Sequence, residues 1–287
     1  MKSKLERMMD SFDPQSLDET KSALREIIQN IVLIGLSNGG FFHVGSFYGG
    51  TATRIFYDLN RYSEDLDFTL NQTMDHFSFY PYIEKVETTA FSYGLKVEAS
   101  VKEKKVETPV STAIVRTNTL EAFLTLKVPE NLTSLLHKDE VIKVKFEADC
   151  HPALGFRVEK RYIDLPDIAP VMVLDEPSLF AGKLNAVLTR NYGQKVKGRD
   201  YYDFAFYVRN RISPNLVYLK NKLVAGGKIK EEDPFDIPTL QKMLIERFEE
   251  VDFEEAKEDA SKFLFHEEDL SYFQKDYFID LARKIRA

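Results

Sequence analysis

The chain has 287 residues, of which 44% are hydrophobic and 30% are charged, the balance of a soluble globular protein rather than a disordered, collagenous or coiled-coil one. The only cysteine, Cys150, excludes an intramolecular disulfide framework and a cysteine-cluster zinc site. The formal net charge of −7 does not exclude a phosphate-bearing ligand, because residues 231–287 alone hold 17 acidic and 8 basic residues, whereas residues 178–199 hold five basic residues and no acid. The apolar stretches are far too short to span a membrane and the N-terminus is charged, so we expect a cytoplasmic protein.

The first part of the chain alternates between predicted helices and strands. Ser16 and Glu19 have the spacing of a capping box, and apolar residues at helical spacing follow, which predicts a helix over about residues 17–35. The next predictions are a strand over 41–46, a tight turn over 49–51, a helix over 52–59 and a half-buried strand over 65–70. Further along, the sequence predicts a helix over 78–93 and strands over 94–101, 110–117, 141–149 and 171–174.

The pattern after residue 175 is that of helices. Asp175 can cap a helix in which Pro177 occupies the first turn. The predicted helices cover about residues 176–191, 199–209, 214–224, 238–250, 253–264 and 268–285. The sequence therefore predicts an α/β domain over residues 1–175, followed by a helical domain over residues 176–287.

A glycine turn followed by two alternating aspartates is the sharpest motif. On a strand, Asp65 and Asp67 project from one face with Cα atoms roughly 6.5–7 Å apart. Carboxylates at that separation can hold one or two divalent metals with phosphate oxygens between them. The backbone N–H groups of Gly49 and Gly50, and the hydroxyl of Thr51, can contact phosphate at the start of a helix. The alternative is that both aspartates form the solvated face of an edge strand, but the glycine turn favours a site.

A third carboxylate should lie on a neighbouring strand. The polar face of residues 141–149 offers Glu147 and Asp149, and Asp149 also fits a turn residue at the end of the strand. Lys145 on the same face is either a solvated strand lysine or a group close to the phosphates.

Gly49-Gly50-Thr51-Ala52, together with Arg61-Tyr-Ser63-Glu-Asp65-Leu-Asp67-Phe68, resembles the signature of the AbiEii/AbiGii toxin family. With further matches downstream, the resemblance covers about residues 20–210. It implies an α+β fold: a polymerase-β-like nucleotidyltransferase mixed sheet with flanking helices, followed by a helical C-terminal domain. Because Lys145-Phe-Glu147 is similar to the family's Lys-x-acid strand, the resemblance favours Glu147 as the third carboxylate. Asp65, Asp67 and Glu147 would then hold two Mg²⁺ ions, with Mn²⁺ as an alternative.

The resemblance extends to two motifs in the helical part. Lys183 in Ala181-Gly-Lys183 matches a family lysine that holds nucleotide phosphates, although a helix lysine is more often a solvated surface group. Arg199-Asp200-Tyr-Tyr-Asp203 resembles an Arg-Asp-x-x-Asp motif whose first aspartate is important for activity and orders either the lysine or the substrate. Alternatively, these two acids favour the N-terminus of a helix. We therefore expect the helical domain to contribute Lys183 and Asp200 to the site.

Two further residues of the signature have a predicted role. Arg61 and Ser63 either shape the turn that precedes the aspartates or contact phosphate.

The function implied by the resemblance is metal-dependent transfer of a nucleoside monophosphate from an NTP to an acceptor, and the favoured acceptor is the 3′ end of a tRNA. The protein would be a toxin that an antitoxin protein counteracts, without a DNA or membrane partner. Two alternatives stay open: an adenylyltransferase that acts on a small molecule or a protein, and a non-catalytic nucleotide-binding module. Three intact carboxylates argue against the second alternative, because uncompensated buried carboxylates are costly without a metal.

Overall fold

The computed structural model describes residues 2–103, 108–190, 196–264 and 270–286. The chain forms two compact units, each of which is assembled from separate segments. The first consists of Met1–Thr51, Ser63–Pro152 and Glu159–Val173, and the second of Ala52–Tyr62, Ala153–Val158 and Leu174–Ala287. None of the helices in the described part of the chain combines the length and the apolar composition needed to cross a bilayer.

The first unit is built on a seven-stranded mixed sheet with strand order β3-β4-β5-β2-β1-β7-β6. Its strands are β1 (Gly45–Tyr48), β2 (Leu66–Leu70), β3 (Glu98–Val101), β4 (Val110–Asn118), β5 (Val141–Asp149), β6 (Val158–Ile163) and β7 (Ala169–Leu174). The helices up to β7 are α1 (Lys4–Phe12), α2 (Leu17–Asn38), a 3₁₀ turn (Phe41–His43), α3 (Gly49–Phe56), α4 (Tyr80–Ser92), α5 (Thr119–Thr125) and α6 (Glu130–Thr133). β2 runs parallel to β5 and antiparallel to β1.

Aromatic rings fill the core of the first unit. The rings of Phe41 and Phe68 have centroids 4.9 Å apart, and those of Phe79 and Phe146 are 4.8 Å apart, both edge to face. All four side chains are fully buried. Because Phe68 and Phe146 lie on β2 and β5, this packing fixes which face of each strand is turned away from the core.

The second unit is mainly helical. Its helices after β7 are α7 (Glu176–Thr189), α8 (Gly198–Arg209), α9 (Leu216–Ala225), α10 (Ile237–Glu249), α11 (Phe253–Ser261) and α12 (Lys275–Lys284). Asp175 caps α7 by accepting a hydrogen bond from the N–H of Ser178, as predicted. Phe204, Phe248 and Phe278 pack together in its core, where their rings join α8, α10 and α12.

The structure corrects the predicted elements at several places. The strand predicted over 41–46 is wrong: Gly40 has a φ of +79°, a 3₁₀ turn follows, and the strand begins only at Gly45. Residues 49–51 are not a separate turn, because α3 begins at Gly49. The short elements α1, α5, α6 and β6 were not predicted. The helix predicted over 268–285 is observed as α12 from Lys275, and its predicted residues 268–269 lie outside the described residues.

Candidate functional site

The predicted carboxylates of the first unit come from two adjacent strands. Asp67 is the direct partner of Glu147 in the parallel ladder of β2 and β5. Asp65 lies one residue before β2. Because paired residues of neighbouring strands project from the same face and the strands lie about 4.8 Å apart, the side chains of Asp67 and Glu147 stand next to each other. The third carboxylate predicted from the sequence is thus adjacent to the second.

Lys145 ties two of these carboxylates together. Its Nζ lies 3.3 Å from Asp65 Oδ2 and 3.0 Å from Glu147 Oε2. Thr112, opposite Glu147 on β4, donates a hydrogen bond of 3.0 Å to Glu147 Oε1. Partial burial alone would lower the pKa of Lys145, but the hydrogen bonds and charges of Glu147 and Asp65 outweigh it and raise that pKa above its usual value. Lys145 therefore stays charged beside the carboxylates.

Gly49 brings the start of α3 against Asp67. Its φ of +84° lies in the left-handed region, and a Cβ built on it would be 2.7 Å from Asp67 Oδ2. A side chain at this position would therefore meet both backbone strain and a steric clash with the carboxylate. α3 begins at Gly49, and the positive end of a helix dipole favours a bound anion.

Thr51 and Gln29 fix the segment that leads to Asp65. The hydroxyl of the fully buried Thr51 lies 2.7 Å from Ser63 Oγ and hydrogen-bonds to the carbonyl oxygen of Asp65. Gln29 Nε2 donates to the carbonyl oxygens of Ser63 and Glu64. Thr51 and Ser63 thus shape the approach to the carboxylates, the first of the two roles predicted for Ser63.

Two residues that contact this site, Gln29 and Thr112, were not predicted from the sequence. Gln29 is a buried amide in α2 that stands, together with the buried Asn30, within an otherwise apolar run from Ile27 to Ile34. That position was a visible signal, since buried polar groups are nearly always hydrogen-bonded. Thr112 had no comparable signal, because a threonine is an ordinary strand residue.

The donor chemistry of this face fits a hard divalent cation. Three carboxylates supply the oxygen ligands that Mg²⁺ prefers. In the described residues, however, no group of three or more histidine, cysteine, aspartate and glutamate side chains is arranged as a metal-binding cluster. The Lys145 ammonium is the cation that lies between Asp65 and Glu147. Metal binding by these carboxylates would therefore require Lys145 to give up at least one of its two partners.

A second group of charged residues lies within the second unit. The Arg61 guanidinium donates to both carboxylate oxygens of Asp203, each at 2.6 Å. Lys183 Nζ lies 2.8 Å from Asp203 Oδ2 and 2.8 Å from Asp200 Oδ1. Arg190 pairs with the other oxygen of Asp200. The five side chains form a chain of alternating charge, which we call the Arg61–Arg190 network.

The charges of this network are largely buried, and buried charges are costly unless they are paired. The side chains of Asp200 and Asp203 are each 1% exposed, and that of Lys183 is 14% exposed. Burial alone would raise the pKa of Asp200, yet the charges of Lys183 and Arg190 hold it below its usual value. In the same way, Arg61 and Lys183 overcome the burial of Asp203 and lower its pKa. Both aspartates are therefore ionised at neutral pH.

The network bears on the roles predicted for its members. Asp200 lies in the first turn of α8, but its carboxylate is used by Lys183 and Arg190 rather than as a cap. This contact agrees with the predicted ordering of Lys183 by Asp200. Arg61 is buried and bidentate with Asp203, an arrangement that serves structure rather than contact with a phosphate.

Comparisons with known proteins identify relatives of the chain. Residues 31–278 match the family model described as nucleotidyl transferase AbiEii toxin, Type IV TA system. No curated protein sequence matches significantly. Among solved structures, a protein of Helicobacter pylori described as a candidate nucleotidyltransferase is similar with 16% identity and a TM-score of 0.53, over 91% of this chain and 93% of that one. The H. pylori protein JHP933 is similar with 17% identity and a TM-score of 0.54, over 91% and 90%. These likenesses confirm the predicted fold class.

Proposed function

The chain belongs to the AbiEii family of nucleotidyl transferase toxins, and on that premise we propose that it is a metal-dependent enzyme that transfers a nucleoside monophosphate from an NTP to an acceptor hydroxyl. The observation that carries this proposal is the pairing of Asp67 with Glu147 across β2 and β5, with Asp65 one residue before β2 and Gly49 against the Asp67 carboxylate. Oxygen ligands beside a helix N-terminus suit a metal-bound triphosphate.

Asp65, Asp67 and Glu147 would hold the metal, with two Mg²⁺ ions proposed and Mn²⁺ as an alternative. When bound, the metal would neutralise phosphate charge and favour deprotonation of the acceptor hydroxyl. The N–H groups of Gly49 and Gly50 donate to the terminal phosphates. The acceptor oxygen bonds to the α-phosphorus, the bond to pyrophosphate breaks, and the hydroxyl proton leaves to solvent.

Lys183 and Asp200 are the residues of the helical part that have a proposed role in the reaction. Lys183 adds positive charge for the nucleotide phosphates, and Asp200 holds the Lys183 ammonium at 2.8 Å. A lysine held between two carboxylates keeps a defined position. Asp200 is thus a positioning residue for Lys183.

The proposed acceptor is the 3′ end of a tRNA in the cytoplasm. This choice rests on the resemblance of the signature residues to the family. A nucleotide added to that end would block aminoacylation of the tRNA, and this would explain why the protein is toxic. The family model is that of a Type IV toxin–antitoxin system, so an antitoxin partner is expected.

The test is to incubate the purified protein with Mg²⁺, total tRNA and each α-labelled NTP in turn, beside Asp67→Asn. Label on tRNA with the wild type, and none with the variant, is the expected result and identifies the nucleotide. Label on a protein or a small molecule instead would discard the tRNA acceptor and favour the adenylyltransferase alternative. Absence of both transfer and NTP binding would contradict the proposed activity and leave the non-catalytic module.

A further inference from the structure

A basic pocket lies in the second unit, outside the residues assigned above. Its volume is about 640 Å³, and it is lined by the end of α8, the loop that follows, one side of α12 from Tyr277 to Lys284, and the two residues after α12. Four cationic side chains line it: Arg209, Arg211, Lys284 and Arg286. No acidic residue is among the described residues that line it. The pocket has the size of a typical small-ligand site.

Helix stability alone does not explain this charge. Cations at the C-terminal ends of helices are favoured by the macrodipole, which accounts for Arg209 on α8 and Lys284 on α12. Arg211 and Arg286 lie beyond these helices. Within the described ranges, neither of the two makes an ion pair, so their charges are available to a ligand. Lys284 and Arg286 belong to residues 231–287, a segment with 17 acidic and 8 basic residues, so their place in a pocket without acidic lining is unexpected from composition.

The pocket also offers apolar and aromatic surface. Buried Leu281 and Ile285 contribute to its lining, and Tyr277 stands at its side. The guanidinium of Arg209 donates to the Tyr277 hydroxyl at 2.7 Å, which holds both side chains in place. An apolar and aromatic surface bordered by cations is the combination that binds single-stranded nucleic acid, because the bases contact the former and the phosphates the latter.

From this geometry we propose that the pocket binds the phosphodiester backbone of the RNA acceptor, an inference that rests on the proposed function. Arg211 and Arg286 contact phosphate oxygens, and one unpaired nucleotide packs against the half-buried ring of Tyr277. The pocket thus supplies affinity for the RNA rather than chemistry.

The experiment measures binding of a fluorescently labelled tRNA transcript by anisotropy, over a range of salt concentrations and without Mg²⁺. The pocket variant is Arg211→Gln with Arg286→Gln. The matched control is Lys242→Gln with Arg283→Gln, which removes the same charge from two exposed residues of the same unit that do not line the pocket. Thermal unfolding checks that both variants fold, and ATP binding with Mg²⁺ serves as a second readout.

The pocket variant is expected to bind tRNA at least about tenfold more weakly. The slope of the logarithm of its binding constant against the logarithm of the salt concentration should fall in magnitude by roughly 1.5, which corresponds to two lost phosphate contacts. The control and ATP binding should change little. An equal loss in both variants, no loss in the pocket variant, a loss confined to ATP, or a wild type that binds no tRNA would each overturn the inference. Label transfer to tRNA is measured separately. If the wild type transfers label and the pocket variant binds RNA normally, the role of the pocket is contradicted but the proposed activity is not.

Discussion

At the scale of single residues, Gly49 connects the backbone to the proposed chemistry. Its positive φ and the 2.7 Å distance at which an added side-chain carbon would meet Asp67 Oδ2 are two separate demands for glycine. Gly227 has a φ of +66° with nothing within 4 Å of such a carbon, so it carries the first demand without the second. A comparison of substitutions at Gly49 and Gly227 therefore distinguishes the effect of backbone strain from the effect of contact with the Asp67 carboxylate.

Gly49→Ala is expected to cost more stability than Gly227→Ala. The latter loses only the energy of the left-handed backbone, about 1–2 kcal/mol. Gly49→Ala adds a steric term of about 1–3 kcal/mol because Asp67 must move, and it should also abolish transfer activity. Urea unfolding of both variants measures the difference, and equal losses would show that the added methyl group does not displace Asp67.

Asp203 is the residue on which the stability of the Arg61–Arg190 network is most easily tested. Asp203→Asn leaves the Arg61 guanidinium buried without its counter-ion, so the free energy of unfolding at neutral pH should fall by about 3–5 kcal/mol. The folded pKa of Asp203 lies below its usual value of 3.8. Its contribution is therefore present above about pH 4 and is lost as the pH falls through the lower, folded pKa.

The acid dependence of unfolding provides the check. Denaturant unfolding between neutral and acidic pH should show a wild-type stability that falls below about pH 4 and a flatter curve for Asp203→Asn. Asp280→Asn is the control, because that carboxylate pairs with Arg283 at an exposed site. Equal behaviour of Asp203→Asn and Asp280→Asn would contradict a strong buried network.

At the scale of the elements, the packing of α8 on α11 depends on Gly198. A side-chain carbon on Gly198 would lie 1.6 Å from the carbonyl oxygen of Ala256. The backbone N–H of Gly198 donates a hydrogen bond of 2.8 Å to Asp259 Oδ2. The first turn of α8, which carries Asp200, is thus placed by direct contact with the backbone of α11.

Gly198→Ala should therefore separate the two helices and lower the free energy of unfolding by more than about 3 kcal/mol. Gly182 in α7 has no neighbour within 4 Å, so Gly182→Ala should be neutral or stabilise by up to about 1 kcal/mol. Chemical denaturation of the two variants makes the comparison. A Gly198→Ala protein as stable as Gly182→Ala would show that α8 and α11 do not pack as described.

At the scale of the whole molecule, local patterns predicted elements better than they predicted partners. The alternation over β5 placed Glu147 on the polar face of its strand, but nothing in the spacing showed that β5 pairs with β2. The choice of Glu147 as the third carboxylate came from the resemblance to a family. Pairs such as Arg61 and Asp203 are 142 residues apart, and only tertiary structure brings them together. The strand predicted over 41–46 failed because Gly40 starts a 3₁₀ turn, a local feature that apolar character does not reveal.

In the proposed enzyme Glu147 completes a metal-binding set with Asp65 and Asp67, and the variants Glu147→Gln and Asp149→Asn test this assignment. Asp149 lies two residues further along β5, and its Oδ1 accepts the N–H of His151, a contact that asparagine retains. The measurement is the single-turnover rate of nucleotide transfer, with Mn²⁺ affinity determined on the same samples. Loss of several kcal/mol of transition-state stabilisation predicts a rate about a thousandfold lower and weaker Mn²⁺ binding for Glu147→Gln. Asp149→Asn should behave as the wild type, and the reverse pattern, or no effect of either substitution, would contradict the account.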